Sequence, residues 1–168
     1  MRAPLERRSA WPTVVAMTLT LLASLLIHAA PTRLPTGADI LPLLPLITLF
    51  IWAVRRPRYV SPLLIFAVGL LQDLLIGGPM GVWALSYLVA FAIARPREEE
   101  GGGELGPMSL RFAVLTLIAL TLAWGAGSVA LGQPAATADL VTEGILTIIL
   151  FPGFAFLFAR KKERTTFS

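Results

Sequence analysis

Six apolar stretches divide this chain, and the charges between them are sorted by side. The stretches run over Trp11–Ala30, Ile40–Val54, Val60–Ile76, Met80–Ala94, Leu110–Leu131 and Leu140–Ala159. A helix that crosses a bilayer needs roughly 20 apolar residues, fewer where protein shields it. The second and fourth stretches fall short of that, so they are expected to tilt little or to thin the bilayer locally. A hydrophobic fraction of 56% over 168 residues agrees with lipid as the main solvent. The expected fold is an all-α integral membrane protein: a single compact bundle of six transmembrane helices.

The basic residues set the expected orientation. Arg2, Arg7 and Arg8 precede the first span, and Arg55, Arg56 and Arg58 lie between the second and third. Arg95, Arg97 and Arg111 flank the next inward loop, and Arg160, Lys161, Lys162 and Arg164 follow the sixth span. Of fourteen Lys and Arg residues, only Arg33 falls on the other side. Cytoplasmic loops carry the excess of Lys and Arg, so both termini are expected in the cytoplasm. The net charge of +4 is then topogenic, and nucleic acid is excluded as a partner because the charge is scattered over four membrane-flanking clusters. The first apolar run is too long for a signal-peptide core, and His28 and Pro31 spoil a cleavage site after Ala30. It is expected to stay as an uncleaved helix.

Little mass is expected outside the bilayer. The outward connections 31–39, 77–79 and 133–139 are short. The inward loop 95–109 holds Glu98, Glu99, Glu100 and Gly101–Gly103. Such a run cannot bury a core and reads as a flexible linker. The chain has no Cys and one His, which argues against disulfides, thiolate sites and a His-based metal centre. No nucleophile–base pair, Walker-type loop or dinucleotide fingerprint is present in the sequence. No cofactor and no catalysis are expected.

The densest information lies at the turn between the third and fourth spans. Asp73 is the only acid in the third span. A mid-bilayer Asp costs ~2.5–3.5 kcal/mol on insertion scales, and such residues mark function or a specific contact. Gly77 and Gly78 permit a tight reversal, and Pro79 suits the first turn of the next helix. Free amides at the start of that helix would then lie near the Asp73 carboxylate. Three roles stay open for Asp73: a tie across the reversal, a proton or ion site, and a polar contact to another subunit.

Other polar residues collect at the outer side: His28, Asp39, Gln72, Asp139 and, about one turn deeper, Glu143. They either line an outward cavity or snorkel and cap helices, Asp39 and Asp139 immediately preceding helices. In the fifth span Ala119, Ala123 and Gly127 recur every four residues, as do Ala126 and Ala130. Small residues at that spacing let helix backbones approach, within this chain or against a partner. Trp11, Trp52, Tyr59 and Trp83 read as interfacial anchors. Pro42 and Pro45 should bend the second span or keep its start irregular, and Pro152 should kink the sixth.

The segment from Gly69 to Gly81 resembles the rod shape-determining MreD family. Its members are small inner-membrane proteins with a Gly-Leu-x-x-Asp-like stretch followed by Gly-x-Pro-x-Gly. The matching residues are Gly69, Leu70, Asp73, Gly77, Pro79 and Gly81. A Pro-rich second span followed by a basic loop is also similar. The resemblance implies a non-enzymatic component of the bacterial cell-wall elongation complex. Its implied partners are MreC, a bitopic protein, with MreB, RodA and the transpeptidase that works with RodA. The rival expectation, from the outer polar group of Asp73, Glu143 and His28, is a substrate-binding membrane subunit like those of energy-coupling-factor transporters. A proton- or ion-coupled carrier is a third.

Overall fold

In a computed structural model of the chain, residues 11–30, 41–94, 105–135 and 137–163 are described. All regular structure among them is helical: α1 (Trp11–Ala29), α2 (Leu44–Arg55), α3 (Pro62–Ile76), α4 (Val82–Ala94), α5 (Leu105–Leu131) and α6 (Thr137–Glu163), with a 3-10 turn at Pro57–Tyr59. Three of these, α1, α5 and α6, are long and apolar enough to cross a membrane. Arg33, Asp39 and the Glu98–Gly103 run lie outside the described residues, as do Arg2, Arg7, Arg8, Arg95 and Arg97.

α1 packs on α2 and α3, α3 on α4, α4 on α5, and α5 on α6. The chain closes where α2 also meets α6. α2 has twelve residues, about 18 Å of helix, shorter than a hydrocarbon core of about 30 Å. It does not meet that core as a free-standing span. Pro45, Leu46, Ile47, Leu49, Phe50, Ile51, Ala53 and Val54 are all buried, so nearly every side of α2 is covered by protein. A helix that is apolar all round is stable in such a place. Protein neighbours cover most of this segment.

Phe50 anchors the core from α2. It meets Phe112 of α5 edge-on at 5.2 Å between centroids and Phe151 of α6 edge-on at 5.4 Å. Phe112 and Phe151 stack at 3.9 Å. Edge and offset-stacked rings are the favoured aromatic geometries, and this trio locks three helices together. On α5 the face beside Phe112 continues through Leu115, Thr116, Ala119, Ala123 and Gly127, all buried. The Ala119–Ala123–Gly127 row thus packs inside this chain. The second small row is not equivalent, because Ala130 is exposed.

The bundle's outer surface is apolar. Leu19, Leu22 and Leu26 on α1, Leu71 and Leu74 on α3, Leu85 and Ile93 on α4, Leu117 on α5 and Ile149 on α6 are all exposed. A water-soluble monomer rarely shows so continuous an apolar surface.

Several boundaries differ from the sequence expectation. α2 begins at Leu44 rather than Ile40, with Pro42 outside it and Pro45 in its first turn. α4 begins at Val82, so Pro79 sits in the reversal and not in the first helical turn. α5 begins at Leu105, so residues 105–109 belong to a helix and not to the linker expected over 95–109. Pro107 is no obstacle there, since the first amides of a helix have no intrahelical partner.

Candidate functional site

Two polar constellations sit inside this apolar bundle. The first is the corner between α3 and α4. α3 starts at Ser61, whose hydroxyl accepts the Leu64 amide. Near the middle of α3, Gly69 lies against α4: a Cβ there would stand 2.5 Å from the Ala84 Cα. No side chain fits that gap, so Gly69 sets how closely the two helices approach.

α3 ends at Gly77, whose φ of 72° is left-handed and favours glycine. The amides of Gly77 and Gly78 both donate to the Asp73 main-chain carbonyl, at 3.1 and 3.3 Å. α4 starts at Gly81, whose carbonyl accepts the first helical bond from Leu85. Its φ of 95° again requires glycine. A glycine has no side chain with which to cap a helix. Asp73 supplies the missing cap from the preceding helix. Its Oδ2 accepts the Gly81 amide at 2.9 Å and the Ala84 amide at 3.4 Å, and its Oδ1 accepts the Trp83 amide at 3.0 Å. One residue therefore terminates α3 with its backbone and initiates α4 with its side chain. Asp73 is 1% exposed, so its charge is compensated by these donors and by the dipole of α4.

The second constellation joins α1, α3, α4 and α6. Next to Asp73, Gln72 is also buried and accepts the Tyr87 hydroxyl at 2.6 Å. Gln72 Nε2 faces His28 Nε2 at 3.4 Å. His28 Nδ1 lies 3.1 Å from the Pro42 carbonyl. A carbonyl can only accept, so Nδ1 carries the proton and Nε2 is left as an acceptor for Gln72. Glu143 Oε1 stands 3.6 Å from the same Nε2. A cavity of about 430 Å3 opens beside this group, its lining including His28, Leu41, Leu75, Trp83, Leu140 and Glu143.

The irregular entry to α2 is held from α6. The Leu43 amide donates to Thr147 Oγ1 at 2.8 Å, and that hydroxyl donates to the Glu143 carbonyl at 2.6 Å. Thr147 and Leu43 are fully buried, so this pair satisfies a donor that the prolines leave outside the helix.

The site candidates divide between these two places. Gly69, Asp73, Gly77 and Gly81 meet at the corner, with Pro79 within the reversal. Glu143 belongs to the second group with His28 and Gln72. Ala119, Ala123 and Gly127 join neither. Two members were missed in the sequence. Tyr87 reads as an ordinary aromatic of an apolar helix, and Thr147 as a hydroxyl bonded to its own helix. The indole N–H of Trp52 donates to Thr20 Oγ1 in α1 at 2.9 Å, tying α2 to α1. Trp83 is half-buried and lies on the Tyr87 ring at 5.5 Å.

No family model, curated protein or solved structure matches this chain.

Proposed function

We propose that this chain is a multi-pass inner-membrane protein with six spans and both termini in the cytoplasm. In this reading it acts as a non-enzymatic scaffold of the cell-wall elongation complex, binding an MreC-like bitopic protein and regulating peptidoglycan synthesis. The observation that carries the reading is the role of the residues that resemble the MreD family. Gly69, Asp73, Gly77 and Gly81 all serve to build a close, rigid α3–α4 corner. A motif whose carboxylate is committed to three backbone amides shapes a surface rather than performs chemistry. The apolar flanks of α1, α3 and α4 offer that surface to partners within lipid.

Cross-linking in native membranes, read by mass spectrometry, tests the reading. Capture of an MreC-like protein and the elongation synthases is expected, with contacts on α3 to α5. Capture of transporter ATPases without wall-synthesis proteins would overturn it. The second reading, a substrate-binding transporter subunit, draws its support from the cavity beside His28 and Glu143.

A further inference from the structure

Two acceptors from different helices, His28 of α1 and Glu143 of α6, meet at the cavity beside His28. The proton on His28 Nδ1 is directed at Pro42, one N–H of Gln72 at His28, and the Tyr87 hydroxyl at Gln72. The lone pair of His28 Nε2 and the carboxyl group of Glu143 both border the cavity. No N–H or O–H among the described residues donates to that carboxyl group within hydrogen-bonding distance. Asp139, one turn away on α6, adds negative charge at the same end. The side chains of His28 and Glu143 are 6% and 18% exposed, so water compensates them poorly.

We infer that this cavity is a binding site for a small primary aliphatic ammonium ion. An ammonium group brings a positive charge and several N–H donors to two acceptors 3.6 Å apart. Leu41, Leu75, Ile76 and Leu140 form apolar walls for an aliphatic body. The Trp83 ring borders the same space, where a cation is attracted to an aromatic face. The volume of about 430 Å3 lies in the range of small-molecule pockets. A metal ion fits less well, because no cluster of three or more His, Asp or Glu side chains exists among the described residues. The site is defined by its own geometry and rests on neither reading of the proposed function.

The test uses the full chain purified in lipid nanodiscs at constant ionic strength. n-Butylammonium is titrated while the unfolding midpoint is followed, with n-butanol as the neutral match and tetramethylammonium as a cation without donors. The expected result is a saturable rise with n-butylammonium that neither control reproduces. Glu143→Gln should weaken that binding about tenfold or more. Leu140→Phe, which narrows the cavity and leaves the carboxyl group in place, should also weaken it and keeps the test decisive if Glu143→Gln fails to fold. Equal responses to n-butylammonium and n-butanol would overturn the inference. So would unchanged binding in a folded Glu143→Gln protein, or no response to n-butylammonium in the wild-type chain.

Discussion

Replacing Asp73 separates hydrogen bonding from charge at the α3–α4 corner. Asp73→Leu removes the acceptor for three amides, two of them at 2.9 and 3.0 Å and one, weaker, at 3.4 Å. A hydrogen bond to a charged group contributes about 1.5–3 kcal/mol in water-soluble proteins. Within membranes the unfolded chain also finds partners, and side-chain bonds average about 0.6 kcal/mol with a maximum near 1.7. Two strong charge-assisted bonds at a buried site sit at the upper end of that range. The expected loss for Asp73→Leu is about 2–4 kcal/mol. Asp73→Asn keeps one carbonyl oxygen, enough for one strong bond, and turns an amide group toward the other donor. Its expected loss is about half as large. Chemical unfolding of the two variants in mixed micelles measures both. Equal losses would show that charge, and not the pattern of amide bonds, is what matters. A loss below about 1 kcal/mol for Asp73→Leu would refute the capping account altogether.

Gly69→Val should force α3 and α4 apart, because its Cβ has no room against the Ala84 backbone. The cost is expected at about 1–3 kcal/mol in the same unfolding assay. Gly77→Ala should cost about 1–2 kcal/mol from its left-handed φ of 72°, whereas Gly78→Ala, with open space around it and no such φ, should be nearly neutral. Phe112→Ala removes the ring stacked on Phe151 and should lower stability by about 3–5 kcal/mol, seen as a fall in the thermal midpoint.

The sequence carried the helical layout well because apolar length and charge placement are local signals. The α3–α4 corner was also within reach: a lone acid in an apolar helix, followed by two glycines, marks a carboxylate near a helix start. The start of α4 was placed too early because Pro79 fits a first helical turn equally well. The Gly81 amide, held on Asp73 Oδ2, decides the point, and only three-dimensional proximity brings those two together. α2 was legible as apolar but not as enclosed, since a buried core helix and a short span share one pattern. The linker boundary was misjudged at Gly106 and Pro107, residues that break helices in their middle but not in their first turn. The sequence placed His28, Gln72 and Glu143 at one outer level, but it did not show their contacts or that Tyr87 joins them. These residues lie on four helices, and their contacts depend on how those helices pack.

The account depends most on six helices crossing one bilayer with both ends on the cytoplasmic face. The chain has no cysteine, so single cysteines can be placed by Arg58→Cys, Gly78→Cys and Gln133→Cys and probed with a membrane-impermeant maleimide. Gly78→Cys and Gln133→Cys should label from outside the inner membrane, and Arg58→Cys only once that membrane is opened. If α1, α5 and α6 alone cross, Arg58→Cys and Gly78→Cys would label together, from the face opposite Gln133→Cys, and the six-span account would be contradicted.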